Sequence, residues 1–310
     1  MFRYLIRRIL AMIPVALGVT FILFSLLSVT PGDPARLALG EDASEESLNE
    51  FRREYGLDRS FLVRYGFFVY NAAVNQDIGR SYVTRRPVAG EMANTFPVTL
   101  NLAFGAITFA TVLGMTFGII CAIKQYSIFD NVTMVIAMLG ISTPIFYLGI
   151  LFILWFSVRL RWLPSSGFDT LSQRILPWIT LSAPSMSIIT RMTRSSMLEV
   201  IRSDYIRTAR AKGQKESVVI LKHALQNALI PIVTIIGIQF GLLLGGSILT
   251  ESVFSIPGVG RLAVEGIKSR DYPIVQGAVL YIAIAYVFIN LFVDLLYAWI
   301  DPRLRTRYRY

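Results

Sequence analysis

Six apolar stretches, each long enough to cross a hydrocarbon core of about 30 Å as a helix, leave this chain few ways to fold. They run from Ile9 to Val29, Val98 to Ile123, Val132 to Val158, Ile175 to Met192, Leu229 to Thr250 and Val275 to Ile300. Lipid offers the backbone no hydrogen-bond partners, so each stretch must satisfy its own N–H and C=O groups within a helix. An all-α integral membrane protein is the predicted class, with a single membrane domain over residues 1–310. The fourth stretch is the least regular, because Pro177 and Pro184 interrupt it and serines dilute it. The composition agrees: 54% of residues are hydrophobic and 16% charged, against about a quarter charged in soluble domains.

Charge placement predicts the orientation. Arg3, Arg7 and Arg8 precede the first stretch, Lys124 follows the second, a basic segment follows the fourth, and Arg303, Arg305, Arg307 and Arg309 follow the sixth. Positive segments stay on the cytoplasmic side, which puts both termini there. The first stretch is too long for a cleaved signal, and TPGDPA stands where a small-x-small site would be needed. The net charge of +10 gathers beside apolar spans, which is an orientation signal and not a nucleic-acid footprint. Residues 30–97 then form an outer, periplasmic helical insertion. Asp42 and Glu45 offer a capping box for a helix near Glu45 to Tyr55, with Leu48, Phe51 and Tyr55 on one face and Gly56 as its stop. A second helix is expected from Phe61 to Tyr70, and residues 252–274 read as an ordered, turn-rich loop.

The inner segment 193–228 is the most informative. Arg202, Arg207, Arg210, Lys212, Lys215 and Lys222 outnumber Asp204 and Glu216. The pattern predicts a short helix from about Tyr205, a break at Gly213 and a second short helix running towards Pro231. Such a pair makes a compact surface for a soluble partner. In the fifth stretch Gly237, Gly241 and Gly245 recur every four residues, a spacing that lets another helix approach closely. Gln239, Gly246 and Thr250 lie on roughly the opposite face and are candidates to line a passage. Gly114 and Gly118 repeat the small-residue spacing in the second stretch. Asp294, inside the sixth, is expected to pair with the basic C-terminal arm. Cys121 reads as an apolar filler. His223 is the only histidine, so no histidine cluster exists for a catalytic metal. No phosphate-binding G-x-x-x-x-G-K-[ST] loop and no H-E-x-x-H pair occur. The residues therefore predict neither a catalytic nor a metal site.

Several segments together carry a family likeness. They are LIRRILAMIPVALGVTFILFSLLSVTPGDPA, YGLDRS, DIGRS, RRPV, TRSSMLEVIRSDYIRTARAKG, KHALQNALIP, ESVFSIPGVGRL, RDYPIVQG and the closing DPR. In this order they resemble permease subunits of bacterial ABC importers of the peptide/nickel branch, and PGDPARL, VTRRPVA and GGSI are most similar to those of glutathione and dipeptide importers. The resemblance implies a type I importer permease fold and a cytoplasmic coupling loop. That loop comprises Asp204, Tyr205, Arg207, Thr208, Ala209, Arg210, Ala211, Lys212 and Gly213. In the family's general pattern Glu-Ala-Ala precedes the glycine; here Arg207, Thr208 and Ala209 stand in those places, so the glutamate is absent. The small Ala209 and Gly213 are expected to seat the helix in a cleft of an ATPase. The resemblance further implies a homologous second permease, two cytoplasmic ATPase subunits that bind ATP and Mg, and a periplasmic or lipid-anchored substrate-binding protein. This chain itself binds no cofactor. Nickel or another small solute is the alternative cargo. An ion-driven secondary transporter would show paired inverted repeats and broken helices around ion ligands, and the sequence shows neither.

Overall fold

The computed structural model describes the backbone of residues 2–40 and 42–300, and their side chains apart from residues 2–9, 11, 12, 294 and 296–300. The expected pairing of Asp294 with the C-terminal arm lies outside the described residues. In chain order the helices are α1 Phe2–Val29, α2 Pro34–Leu39, α3 Glu45–Glu54, α4 Phe61–Tyr70, α5 Val88–Ile123, α6 Ile128–Ser142, α7 Ile145–Phe152, α8 Leu171–Ile201, α9 Asp204–Ala211, α10 Glu216–Val218, α11 Leu225–Val253, α12 Val259–Ser269 and α13 Tyr272–Ile300. Wider π-helical turns extend α4 through Asn71–Asn75, extend α7 through Ile153–Arg159 and join α10 to α11 through Val219–Ala224. Among the described residues the only β pairing is an isolated bridge between Arg80 and Pro87.

Among the described residues, three helical stretches are long and apolar enough to cross a membrane: Val88–Ile123, Glu216–Val253 and Tyr272–Val293. They correspond to the second, fifth and sixth predicted spans. The third differs from expectation. Pro144 excludes the helical conformation for the residue before it, so Thr143 is extended, at φ −84° and ψ 125°. The helices on either side meet at a bend of 108°, and the predicted span 132–158 is not a single rod. The second short helix expected after Gly213 differs too, because α10 continues without a break through Pro231 into α11.

The chain divides into two compact units. One comprises Phe2–Thr99 and Pro257–Val287. Its α3 begins as predicted, but the cap is Ser44, whose hydroxyl accepts from the Ser47 N–H at 3.2 Å, and not Asp42. Leu48 and Phe51 are buried with Ala35, Tyr82 and Tyr272, and Gly56 ends the segment at φ +63°. Asp33 caps α2 by accepting from the Ala35 N–H at 3.0 Å and pairs with Arg52. Desolvation pushes the Asp33 carboxyl up, but Arg52 and the Ala35 N–H together hold it below the usual carboxylate range. The preceding Gly32, at φ +118°, lies flat against the Arg270 guanidinium, where any Cβ would overlap. Residues 252–274 hold more than turns: α12 is amphipathic and buries Val259 and Ala263 with Ile78, Val88 and Met92. Buried Asp271 accepts from the Ser81 hydroxyl and, at 3.0 Å, from the Tyr82 N–H, pinning the 80s turn to the start of α13. Helix α4 lies along α1, with Phe61 and Tyr65 edge-on to Phe21 at 5.6 and 5.2 Å.

The other unit contains Leu100–Ile256, and α8 is its hub. This helix was the least regular span in the sequence, yet it buries Leu176, Leu181, Ile189 and Met197 together with a run of serines and threonines. Three of its hydroxyls bond their own helix, Ser182 donating to the Ile179 carbonyl at 2.8 Å, Ser187 to Ala183 at 2.9 Å and Thr190 to Met186 at 2.7 Å, whereas those of Thr180 and Thr193 are buried without a partner. Small side chains that hydrogen-bond their own helix let neighbouring backbones come close without a lone polar group in lipid. Helices from three directions exploit this. A Cβ on Gly114 or Gly118 of α5 would stand 3.0 Å from the Met186 carbonyl or 2.7 Å from that of Thr190. One on Gly140 of α6 would stand 2.5 Å from the Ser187 hydroxyl, and one on Gly149 of α7 3.4 Å from Thr180.

Candidate functional site

Helix α9 is short, charged and held from below. Ser203 is extended at φ −71° and ψ 152°, the conformation of a helix cap, and Asp204 supplies an acid to the first turn, where the helix dipole favours it. Ile206 is fully buried on a floor made by Ala122, Met197, Val219, Ile220 and Ala224, with Ala209 packed against the same cluster. The opposite face projects outward: Tyr205 is 45% exposed, and Asp204, Arg207, Thr208, Ala211 and Lys212 are also exposed.

Two predicted roles change in this setting. Ala209 is small because its methyl group packs on the chain's own core. Gly213 is glycine because its backbone sits at φ +73°, a conformation costly for L side chains; nothing lies within 4 Å of where its Cβ would be. Two links that sequence reasoning missed brace this turn. Arg210 grips Glu216 through two hydrogen bonds, of 2.6 and 3.1 Å, and His223 Nε2 meets Gln214 Oε1 at 2.9 Å. Opposite charges flanking a glycine are a readable signal for the first. Nothing local indicated the second.

Helix α8, which leads to α9, is tied to α6 by an ion pair that the sequence did not reveal either. Arg194, near the end of α8, forks onto Asp130 in the first turn of α6, at 2.6 and 2.7 Å. Asp130 also accepts from the Tyr126 N–H at 3.0 Å, and its side chain is 1% exposed. Removing one member of a buried pair strands the other. Asp130→Asn is therefore expected to cost about 3 kcal/mol, at the low end for buried pairs because 23% of the Arg194 side chain reaches solvent. The double variant Asp130→Asn/Arg194→Gln should recover part of that loss, since neither charge is then left unpaired. Thermal unfolding of the detergent-solubilised chain measures both.

The remaining predicted residues divide. Gly237 packs closely, because a Cβ there would stand 2.5 Å from Val293 of α13, and Gly241 is buried. Gly245 does not fit the packing expectation: it is exposed, with open space where its Cβ would be. Of the residues expected on a passage, Gly246 is half-buried, whereas Gln239 is buried and donates to the Ser185 hydroxyl of α8 at 3.1 Å. Thr250 is buried with a hydroxyl that finds no partner. Within this chain, then, Gln239 and Thr250 belong to an interior packing face. Cys121 is buried, as a filler should be.

Residues 114–306 match the model of the family described as binding-protein-dependent transport system inner membrane component, and residues 1–103 match that of its N-terminal membrane component. A dipeptide transport system permease protein, DppB, of Alkalihalophilus pseudofirmus is 44% identical over 333 aligned residues, covering 98% of this chain and 100% of that protein. A glutathione transport system permease protein, GsiC, of Escherichia coli K12 is 45% identical over 307 residues, covering 99% and 100%. Among solved structures, the inward-facing MetNI methionine ABC transporter superposes with a TM-score of 0.55 at 20% identity, over 68% of this chain and 96% of that one. An amino acid ABC transporter follows at 0.53 and 15%, over 67% and 94%. The structural likeness concerns the fold.

Proposed function

The chain belongs to the family of binding-protein-dependent transport system inner membrane components, and from that premise we propose that it is one of two permease subunits of an ATP-driven importer for peptides. The cargo class is a dipeptide, an oligopeptide or glutathione, a reading supported by the full-length likeness to permeases named for dipeptide and glutathione transport. The proposed complex adds a homologous second permease, two ATPases that hold ATP and Mg on the cytoplasmic side, and a substrate-binding protein outside. In it this chain crosses the membrane six times with both termini inside and hydrolyses no ATP itself.

The observation that carries the mechanism is α9: an exposed face with Tyr205, Arg207 and Lys212, set rigidly on the buried Ile206 floor. A partner gripping that face moves the floor with it. Met197 of the floor lies on α8, and α8 carries the close packing of α5, α6 and α7. ATP binding favours one arrangement of the ATPases, and the packed helices follow as a population shift. The coupling residues are then Tyr205, Arg207, Thr208, Ala211 and Lys212 by contact. Ala209, Arg210 and Gly213 act by holding the shape.

Uptake decides the cargo. A strain lacking this chain should lose uptake of a labelled dipeptide or of glutathione, and a plasmid copy should restore it. Loss of nickel uptake alone would overturn the peptide reading, and unchanged uptake of all three would overturn the importer assignment for these cargoes.

A further inference from the structure

Helix α4 combines two features that a water-facing helix has no reason to hold side by side. Its inner face runs along α1 at the level of Leu17 to Phe24: Tyr65 donates to the Leu17 carbonyl at 2.8 Å, and its ring sits 5.6 Å from that of Phe24. Those α1 residues lie within the apolar stretch 9–29, so α4 lies beside the membrane span and not above it. Its outer face, continued through the π-helical turn, exposes Leu62, Val63, Phe67, Tyr70 and Val74, with Leu62 70% and Val74 61% exposed. Val63, Phe67, Tyr70 and Val74 recur at three- and four-residue spacing, with Leu62 beside Val63, and form one apolar strip, which marks a surface meant for another apolar phase.

Beside this strip opens a cavity of about 180 Å³ lined by Arg59, Arg64 and Arg80. Among the described residues none of these guanidinium groups forms an ion pair. Two of them sit over rings, Arg59 over Phe67 at 4.7 Å and Arg64 over Phe24 at 5.7 Å. One carboxylate, Asp77, also lines the cavity, and it accepts from the Gly79 N–H at 2.9 Å. The balance is three positive charges to one negative, with guanidinium forks suited to a phosphate.

We propose that Arg59, Arg64 and Arg80 hold the phosphate of an anionic phospholipid whose acyl chains lie along the exposed strip of α4. A basic cavity contiguous with an apolar strip beside a membrane span complements one kind of molecule, an amphiphile with an anionic head. A free anion would have no use for the strip, and a neutral lipid none for the three arginines. The inference rests on the reading that α1 crosses the membrane. Its consequence is an outer segment anchored to the bilayer along α4, and not a cap held wholly in the periplasm.

Native mass spectrometry of the assembled complex, extracted in a mild nonionic detergent and titrated with phosphatidylglycerol, phosphatidylcholine or inorganic phosphate, tests it. One phosphatidylglycerol should be retained in preference to phosphatidylcholine. Arg59→Gln/Arg64→Gln/Arg80→Gln should weaken that retention roughly a hundredfold, from the contribution of each basic residue near a charged headgroup. The matching triple lysine variant should keep most of it. Leu62→Ser/Val74→Ser, which leaves every charge and every cavity-lining residue in place, should also weaken it and guards against misfolding of the glutamine variant. Equal retention by wild type, the glutamine variant and the serine variant would overturn the proposal. So would displacement of the lipid by inorganic phosphate at equal concentration. Retention by the isolated chain but not by the complex would also overturn it, because the second permease would then cover the strip. Recovery of the chain without detergent would overturn the permease reading itself, a distinct result.

Discussion

Replacing Ile206 with Asp should abolish ATP-coupled uptake while leaving the chain in the membrane. Ile206 is fully buried among Met197, Val219, Ile220 and Ala224. An ionised carboxylate there would be desolvated with no cation on that floor, a cost of about 3–5 kcal/mol, taking the figure for an uncompensated buried charge. The short α9 helix has little stability apart from its packing, so it should leave its seat before the membrane helices rearrange. Reconstituted complexes should then hydrolyse ATP without importing cargo, or lose the ATPases altogether. Tyr205→Ala/Arg207→Glu separates docking from folding. Both side chains point outward, so thermal stability should stay within about 0.5 kcal/mol of wild type while uptake falls at least roughly tenfold, as for loss of an interface hot spot. Full uptake by either variant would remove α9 from the coupling role. Ala209→Glu belongs with Ile206→Asp, because Ala209 packs on the same core.

The second large effect is expected in the membrane. Gly118→Leu should prevent assembly of the helix bundle, since even a Cβ would stand 2.5 Å from the Thr193 Cβ and 2.7 Å from the Thr190 carbonyl. The Thr190 carbonyl belongs to the backbone of α8 and cannot rotate away, so the two helices must separate. Overpacking alone costs about 1–3 kcal/mol, occasionally more, and separation would also break the tight α5–α8 seam at Gly114. Gly245→Ala is the control. Nothing lies within 4 Å of its Cβ position, so alanine should be neutral or slightly stabilising in a helix. Yield and thermal midpoint of the detergent-extracted chain give the comparison. Equal values for the two variants would mean that the α5–α8 approach is not required for the fold.

Two helices between residues 30 and 97 were legible because capping and amphipathic signals are local, whereas α2 and the start of α5 at Val88 were not read. The range Phe61–Tyr70 agrees with the prediction, and α3 differs only in the residue that caps it, Ser44 in place of Asp42. The helical nature of α9 and the break at Gly213 were legible for the same reason. What a residue faces was not. Spacing placed Gly237, Gly241 and Gly245 on one face, but which of them meets another helix depends on where α13 crosses α11. Gly237 meets Val293 and Gly245 meets nothing. Gln239 read as a passage residue because a polar group inside a span stands out, and its partner Ser185 lies 54 positions away.

By itself, then, the sequence determined that the chain is helical and built for a membrane, where the basic loop between its apolar stretches begins and breaks, and which family it resembles. These properties follow from composition, period and charge order along the chain. Tertiary structure alone decided that α8, diluted by serines and interrupted by prolines, is the hub of its unit. It also decided that Ala209 serves the chain's own core and that Asp130 and Arg194 meet across 64 positions. The reason is that hydropathy measures preference for lipid, while close packing between helices rewards small side chains that satisfy their own polar groups. Those side chains weaken the very signal by which a span is recognised.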